Sequence, residues 1–390
     1  MRHFQRVMVL SAIVLLFASC HPSSPDTLQK SFCYWKTNFD IDSADAANLK
    51  NLSIQHFYLR FFDVDWDAVT ASPMPVASCE FAYRFGYQTD ITPTVYITNA
   101  VFENIKDSKI EEFAWHLINK ISKMQNDLYE KCLLSIITQD STYKRLDEEN
   151  SSNWSVKNAY CDSMMQQLRP AFFKRNNEIL IDCDWTQRSM KKYFRFLNFL
   201  KSKMPEWEIT STLRLWQYRD FHLAGIPPVK RCLLMCYNLS DPRKYETVNS
   251  IATIEEFEKY FTKSSYPLKL DIALPLHSWA IYFRGNKFKG IVNGINEEEI
   301  SRDTSLFGRI SEYRYRILKD TVIQEVYYRY GDEFRVEQVS FNTLLAFAKL
   351  INKHISIKEG TRISFFSWDA IFYNRLSKDE YNQIYSALSN

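Results

Sequence analysis

The sequence predicts an α/β chain folded as a TIM-type (β/α) barrel, and three observations predict it. Short apolar runs recur along the 390 residues, each closed by polar or acidic residues. Stretches with helical spacing separate them, and buried strands alternating with helices form a parallel sheet covered by helices. No Gly-rich phosphate turn follows any run, and the chain holds only eight glycines, which argues against an open doubly wound sheet.

Taken in order, the predicted strands are His56–Asp63, Thr92–Thr98, Glu178–Asp184, Glu208–Trp216, Arg231–Asn238, Leu268–Pro275 and Arg362–Trp368. Seven are placed and an eighth is left unassigned. Apolar residues three or four apart (Ile110, Phe113, Leu117, Ile121) predict a helix from Lys109 to about Tyr129. Further helices are predicted over Val156–Phe172, Met190–Lys203 and Phe341–His354. Between Pro275 and the last strand the texture changes. Trp279–Asn293 and Tyr313–Val339 are rich in Tyr, Val, Ile and Arg, with turn residues between, which reads as an antiparallel β-rich insertion.

The N-terminus reads as an export signal. Met1–Arg6 carries two arginines and no acid, and Val7–Phe17 is apolar apart from Ser11. Ala18-Ser19-Cys20 follows, as small residues before a cleavage point do. The apolar run falls short of the roughly 20 residues a membrane span needs. The organisation expected is therefore a signal peptide over 1–19, a lipidated Cys20 with a polar tether over 20–47, the barrel's first part over 48–280, the insertion over 281–340, and a closing helix–strand–helix over 341–390.

Composition excludes some classes. With 49 basic and 46 acidic residues the formal charge is +3, which gives no electrostatic basis for binding nucleic acid. Clustered His/Cys ligands, P-loop, HExxH and GxSxG motifs are missing from the sequence, so no metal or cofactor is expected. The seven cysteines besides Cys20 are scattered, several within apolar runs, and predict no disulfide framework. Aromatic content reaches 15 %, which serves core packing and equally suits stacking on sugar rings.

Asp182-Cys183-Asp184-Trp185-Thr186 closes a buried strand. Alternation puts Asp182, Asp184 and Thr186 on one face, and two carboxylates facing a barrel lumen are costly unless paired or working. Met235, Tyr237 and Asn238 close a second strand. Arg60 and Arg214, each inside a strand, read as partners for Asp63 or Asp184, or as anion-binding groups. His277 and Trp279 follow Pro275 at the end where barrels keep their sites. The charged turn of Asp332, Glu333, Arg335 and Glu337 reads as a solvated salt-bridge cluster, and Glu297-Glu298-Glu299 as a helix start or solvated face.

The Ala-Ser-Cys20 segment resembles the bacterial lipobox. The resemblance implies lipid on Cys20, membrane anchoring through it, and a place in the bacterial envelope: the outer membrane, since no Asp follows Cys20, with the periplasm-facing side as the default because no acidic cluster follows either, and the surface side left open. The Asp182–Thr186 strand resembles the DxDxE strand of family 18 glycoside hydrolases, the chitinase group, and Met235-Cys236-Tyr237-Asn238 resembles its M-x-Y-D/N strand. That likeness implies a carbohydrate ligand, aspartates and a tyrosine that position an N-acetyl group, and a glutamate proton donor. Thr186 stands at the glutamate position, and a hydroxyl cannot protonate a glycosidic oxygen near neutrality. A replacement acid would have to be Asp63, Asp65, Asp241 or Asp369. The order of parts, with Gly331-Asp332-Glu333-Phe334-Arg335-Val336-Glu337, is similar to an uncharacterised bacterial lipoprotein family with a glycosidase-like barrel.

Three readings follow. The first is a glycan-processing barrel with Asp184 and Asp182 as catalytic carboxylates, and with Tyr237, Asn238, Trp279, Asp63, Arg60 and Met235 on the ligand. The second is a non-catalytic glycan-binding lipoprotein. The third treats Asp182 and Asp184 as structural partners of the two arginines.

Overall fold

The computed structural model describes residues 28–82, 89–149, 154–262, 265–295 and 297–389. The signal peptide and Cys20 lie outside the described residues. Eight parallel strands close on themselves: Gln29–Tyr34, His56–Asp67, Asp90–Ile97, Glu178–Asp182, Glu208–Arg214, Arg231–Met235, Lys269–Pro275 and Arg362–Phe366. They pair in chain order, and the first strand bonds both to the second, through Ser31–Tyr34, and to the eighth, through Gln29–Cys33. This is a TIM-like barrel with an antiparallel sheet elsewhere in the chain.

The unassigned strand is the first one. Gln29–Tyr34 lies within residues 20–47, the stretch expected to be a tether, and a helix over Ser43–Leu52 follows it. The strand is six residues long and carries one short apolar cluster, Phe32-Cys33-Tyr34. Its membership is set by two neighbouring strands, which local pattern does not reveal. Phe32 sits at the centre of the aromatic packing that closes the barrel, edge-on to Trp368 at 4.9 Å.

The helices follow the predicted stripes. Ile110–Ile137 runs eight residues beyond Tyr129, because Cys132, Leu133 and Ile137 continue its buried face. Met190–Lys203 buries Tyr193, Phe196, Leu197 and Leu200 against the sheet. Several predicted strands end early, the last of them at Phe366 instead of Trp368. The chain leaves the fourth strand at Asp182, turns into a short helix (Leu215–Arg219) after Arg214, and stops pairing at Met235.

The lower lumen is filled by polar side chains. Ser31, His56 and Thr92 form a hydrogen-bonded row at 2.8 Å each, and Tyr58 donates to Asp271 at 2.7 Å. Arg231 and Arg362 share Glu178. Buried charge is tolerated here because each group has partners. The barrel is a plugged core, and barrels of this kind carry their active sites at the opposite, C-terminal rim.

The insertion forms a five-stranded antiparallel sheet in the order Lys287–Asn293, Trp279–Arg284, Glu333–Glu337, Arg314–Ile317, Phe307–Ser311. It has its own small core around Tyr282, Tyr315, Phe334 and Val336. The charged turn expected to be solvated is buried: Asp332 and Arg335 are each 2 % exposed and Glu337 1 %. The reason is position, since Glu333–Glu337 is the central strand of this sheet.

Candidate functional site

Asp182 ends the fourth strand, and its carboxylate accepts a hydrogen bond from the Thr212 hydroxyl of the fifth strand at 2.8 Å. Asp184 lies two residues beyond and is held by the Arg214 fork, with Nε and an Nη donating at 2.5 and 2.6 Å. Cys183 and Trp185 point the other way. Trp185 is fully buried, stacks on Tyr193 at 5.2 Å and donates its indole N–H to Ala224. The alternation expected for this segment therefore survives past the strand's end for the two aspartates. The Thr186 hydroxyl is buried without a protein partner.

Arg60 pairs with Asp63, both on the second strand, and also donates to the Trp35 carbonyl at 3.2 Å. Tyr96, on the third strand, is register-paired with Asp182. Burial, then Asp184 and Asp182, push its phenol upward. Burial is the first cause and the Asp184 charge the second that lift Asp182 well above the usual carboxylate range, to about 7. Arg214 and the Thr212 hydroxyl pull in the other direction. Asp182 therefore keeps its proton further up the pH range than an ordinary carboxyl does.

The other acids proposed as replacements are committed elsewhere. Asp65 accepts from Thr98 at 2.7 Å, Asp241 pairs with Arg243 at 2.8 Å, and Asp369 caps the Ala370–Tyr373 helix while pairing with Lys36 at 2.8 Å. Each stands apart from Asp182 in its own local contact.

The opposite arc of the rim is aromatic. Tyr237, just past the sixth strand, stacks on Phe366 of the eighth at 5.0 Å. Phe366 meets Trp35, just past the first strand, at 5.4 Å. His277, past the seventh strand, contacts Tyr237, Trp279 and Phe366 edge-on at 5.8, 5.1 and 5.3 Å. Both His277 ring nitrogens are buried without a protein partner, and burial lowers the imidazole to about 4, so it is neutral. Trp279 donates its indole N–H to Glu337 at 2.8 Å. Met235 is buried beneath this arc, while Asn238 is exposed and takes a left-handed backbone with φ 57°.

Strands two, four and five thus carry the ion pairs and Asp182, strand three carries Tyr96 beside them, and strands six, seven, eight and one carry rings. Sequence reading missed Trp35 and Phe366, which become neighbours only when the first strand closes the barrel. It also missed Thr212, whose role depends on the register of strands four and five. Among the described residues, no group of three or more His, Cys, Asp or Glu side chains could hold a metal ion. All seven described cysteines are free of disulfides.

No protein-family model matches the chain, and no curated protein matches it. Among solved structures it is similar to the spore cortex-lytic enzyme SleL of Bacillus cereus, with 13 % identity and a TM-score of 0.44 over 94 % of this chain and 75 % of that one. SleL of Bacillus megaterium gives 11 % and 0.43 over 93 % and 74 %. The catalytic domain of a hyperthermophilic chitinase from Pyrococcus furiosus gives 9 % and 0.35 over 93 % and 97 %. These likenesses are remote, and the reading of the site rests on its own residues.

Proposed function

We propose that the protein is an envelope lipoprotein, anchored through Cys20 on the periplasm-facing side of the outer membrane, that binds a glycan at the C-terminal rim of its barrel without cleaving it. The observation that carries this reading is the division of the rim. Rings from Trp35, Phe366, Tyr237 and Trp279 line one arc, and hydrogen-bonding charged groups line the other. A sugar offers an apolar face of C–H groups to rings and hydroxyls to charged groups, so a split rim suits it.

Hydrolysis would require two carboxyls at a suitable separation, one of them a protonated acid able to reach the glycosidic oxygen. Asp184 and Asp63 are both clamped by arginines. Thr186 has no acidity, and its hydroxyl is buried. One observation favours the enzymatic reading instead: Asp182 carries the raised pKa that a general acid needs. Its burial at 7 % exposure, below the Asp184–Arg214 pair, counts against direct contact with substrate.

The test uses the chain from residue 21 onward, with bacterial envelope and host glycans titrated calorimetrically and the products read by mass spectrometry. Saturable binding without fragments is expected, and Trp35→Ala should weaken it about tenfold or more, the scale of a lost stacked ring. Fragments that vanish in Asp182→Asn or Asp184→Asn would overturn the non-catalytic reading. Absence of binding across the panel would overturn the glycan reading. The anchor is tested separately by the mass of the N-terminal peptide and by release of Cys20→Ser into the soluble fraction.

A further inference from the structure

A cavity of about 390 Å³ opens at the N-terminal end of the barrel, remote from Asp182 and Asp184. Its wall takes in the first residues of the sixth and seventh strands, Arg231 and Lys269, and the segment leading into the eighth. Three lining residues each have a polar atom buried without a protein partner: Arg231 Nε, Tyr218 Oη and Tyr266 Oη. Tyr218 is 4 % exposed overall. A buried donor left unmade costs about 1–3 kcal/mol, so three around one cavity are a costly arrangement for a chain that gains nothing from them.

The groups left over are donors. Asp271 accepts from Tyr58 at 2.7 Å and from the Arg362 backbone N–H at 2.8 Å, and the Arg231 terminal nitrogens pair with Glu178 at 2.9 Å and with Glu208 and Asp271 at 3.4 Å each, which leaves its Nε free. Glu359 stands at the exposed lip. Burial raises both tyrosine hydroxyls, which therefore keep their protons across the physiological range. Lys269 and Lys358, both exposed, add ammonium groups at the same lip as Glu359. Donors set around one space, with the deep acceptors already engaged, call for a ligand that offers several oxygens and negative charge.

We propose that this cavity binds a phosphate-type oxyanion, held by Arg231, Tyr218 and Tyr266 and flanked by Lys269 and Lys358. The position of the chain's entry points to its source. Gln29, the first residue of the first strand, donates its backbone N–H to Thr361 at 3.0 Å, and Thr361 is part of the cavity wall. A lipid on Cys20 would hold this end of the barrel near the bilayer, where headgroup phosphates lie. The headgroup source rests on the anchor reading given above, whereas the oxyanion site itself does not.

The experiment uses the mature chain with Cys20→Ser, so that no lipid contributes. Inorganic phosphate and glycerol 3-phosphate are titrated calorimetrically, and vesicles of phosphatidylglycerol are compared with vesicles of phosphatidylcholine by co-sedimentation. Tyr218→Phe and Tyr266→Phe, which keep ring packing and remove one donor each, should weaken binding about tenfold, as expected for a hydrogen bond to a charged group. Tyrosine-dependent heat from the soluble phosphates identifies a free anion. Tyrosine-dependent sedimentation with phosphatidylglycerol alone identifies a headgroup. No binding in either arm, or binding unchanged in both Phe variants, overturns the proposal. Glycan titration of the same preparations should be unaffected by either variant, so failure of the oxyanion site and failure of the glycan reading appear as separate results.

Discussion

Asp182 combines burial with a neighbouring carboxylate, and this has a direct consequence for stability. Its folded pKa of about 7 lies above the 3.8 of an ordinary aspartate, so between those limits the native state binds more protons than the unfolded chain. Stability contributed by this group therefore falls as pH rises from about 4 to 7 and stays low above that. Asp182→Asn can still accept from Thr212 and loses the penalty, so it should stabilise the protein at pH 8 by about 2 kcal/mol or more and change little at pH 4. Thermal unfolding of both chains across this range is the measurement. An Asn variant less stable than the parent at pH 8 would mean that the carboxylate is supported by its neighbours instead of disfavoured. Comparison with the variant matters because buried His56 and His277, both lowered by burial, act in the opposite sense as pH falls through the same window. The two aspartates were legible as a pair from their spacing alone. Which of them takes an arginine was not, because Arg214 is 30 residues from Asp184 and meets it across two strands.

At the scale of elements, the buried carboxylate of Glu337 is one of the groups that tie the insertion to the barrel. Glu337 receives Arg335 at 2.6 Å, the Ser250 backbone N–H at 2.8 Å and the Trp279 indole at 2.8 Å. Arg335 in turn donates to the carbonyls of Pro242, Lys244 and Tyr245 at 2.8–3.1 Å. This network joins the central strand of the five-stranded sheet to the loop after the sixth barrel strand, beside Tyr237. Glu337→Gln would leave the guanidinium of Arg335 without its counter-charge, and a broken buried pair typically costs about 3–5 kcal/mol. Chemical denaturation should show a loss on that scale, together with weaker glycan binding because Trp279 loses its fixed position. A change within about 0.5 kcal/mol, the range of an ordinary surface substitution, would show that the network contributes little. The sequence displayed these charges plainly, yet read them as a solvated cluster. Turn residues around them mark the strand ends, and nothing local tells a central strand from an edge.

Across the whole molecule, the readings proposed here assign separate roles to the two ends of the barrel. The chain enters the first strand at the N-terminal rim, while the split aromatic and charged rim lies at the C-terminal end. An anchor at Cys20 would point the glycan site away from the bilayer. Tethering the chain from residue 21 to chelating vesicles through an N-terminal histidine tag should therefore leave its affinity for a soluble glycan unchanged. A marked loss on tethering would put the rim against the membrane. Among the described residues no helix is long and apolar enough to cross a membrane.

The sequence by itself determined the repeating strand–helix order, the buried faces of the long helices, and the clustering of aspartates, Tyr237 and Trp279 near strand ends. Those are properties of spacing over a few residues, where side-chain alternation and helical periodicity act. Only the tertiary structure decided that Gln29–Tyr34 is a barrel strand, that Cys33 lies 3.4 Å from Ser364 at a separation of 331 residues, and that Trp35 joins Phe366 on the rim. Closure of a barrel pairs the two ends of its chain, and a contact of that kind is fixed by the geometry of eight strands together, not by the residues that flank it.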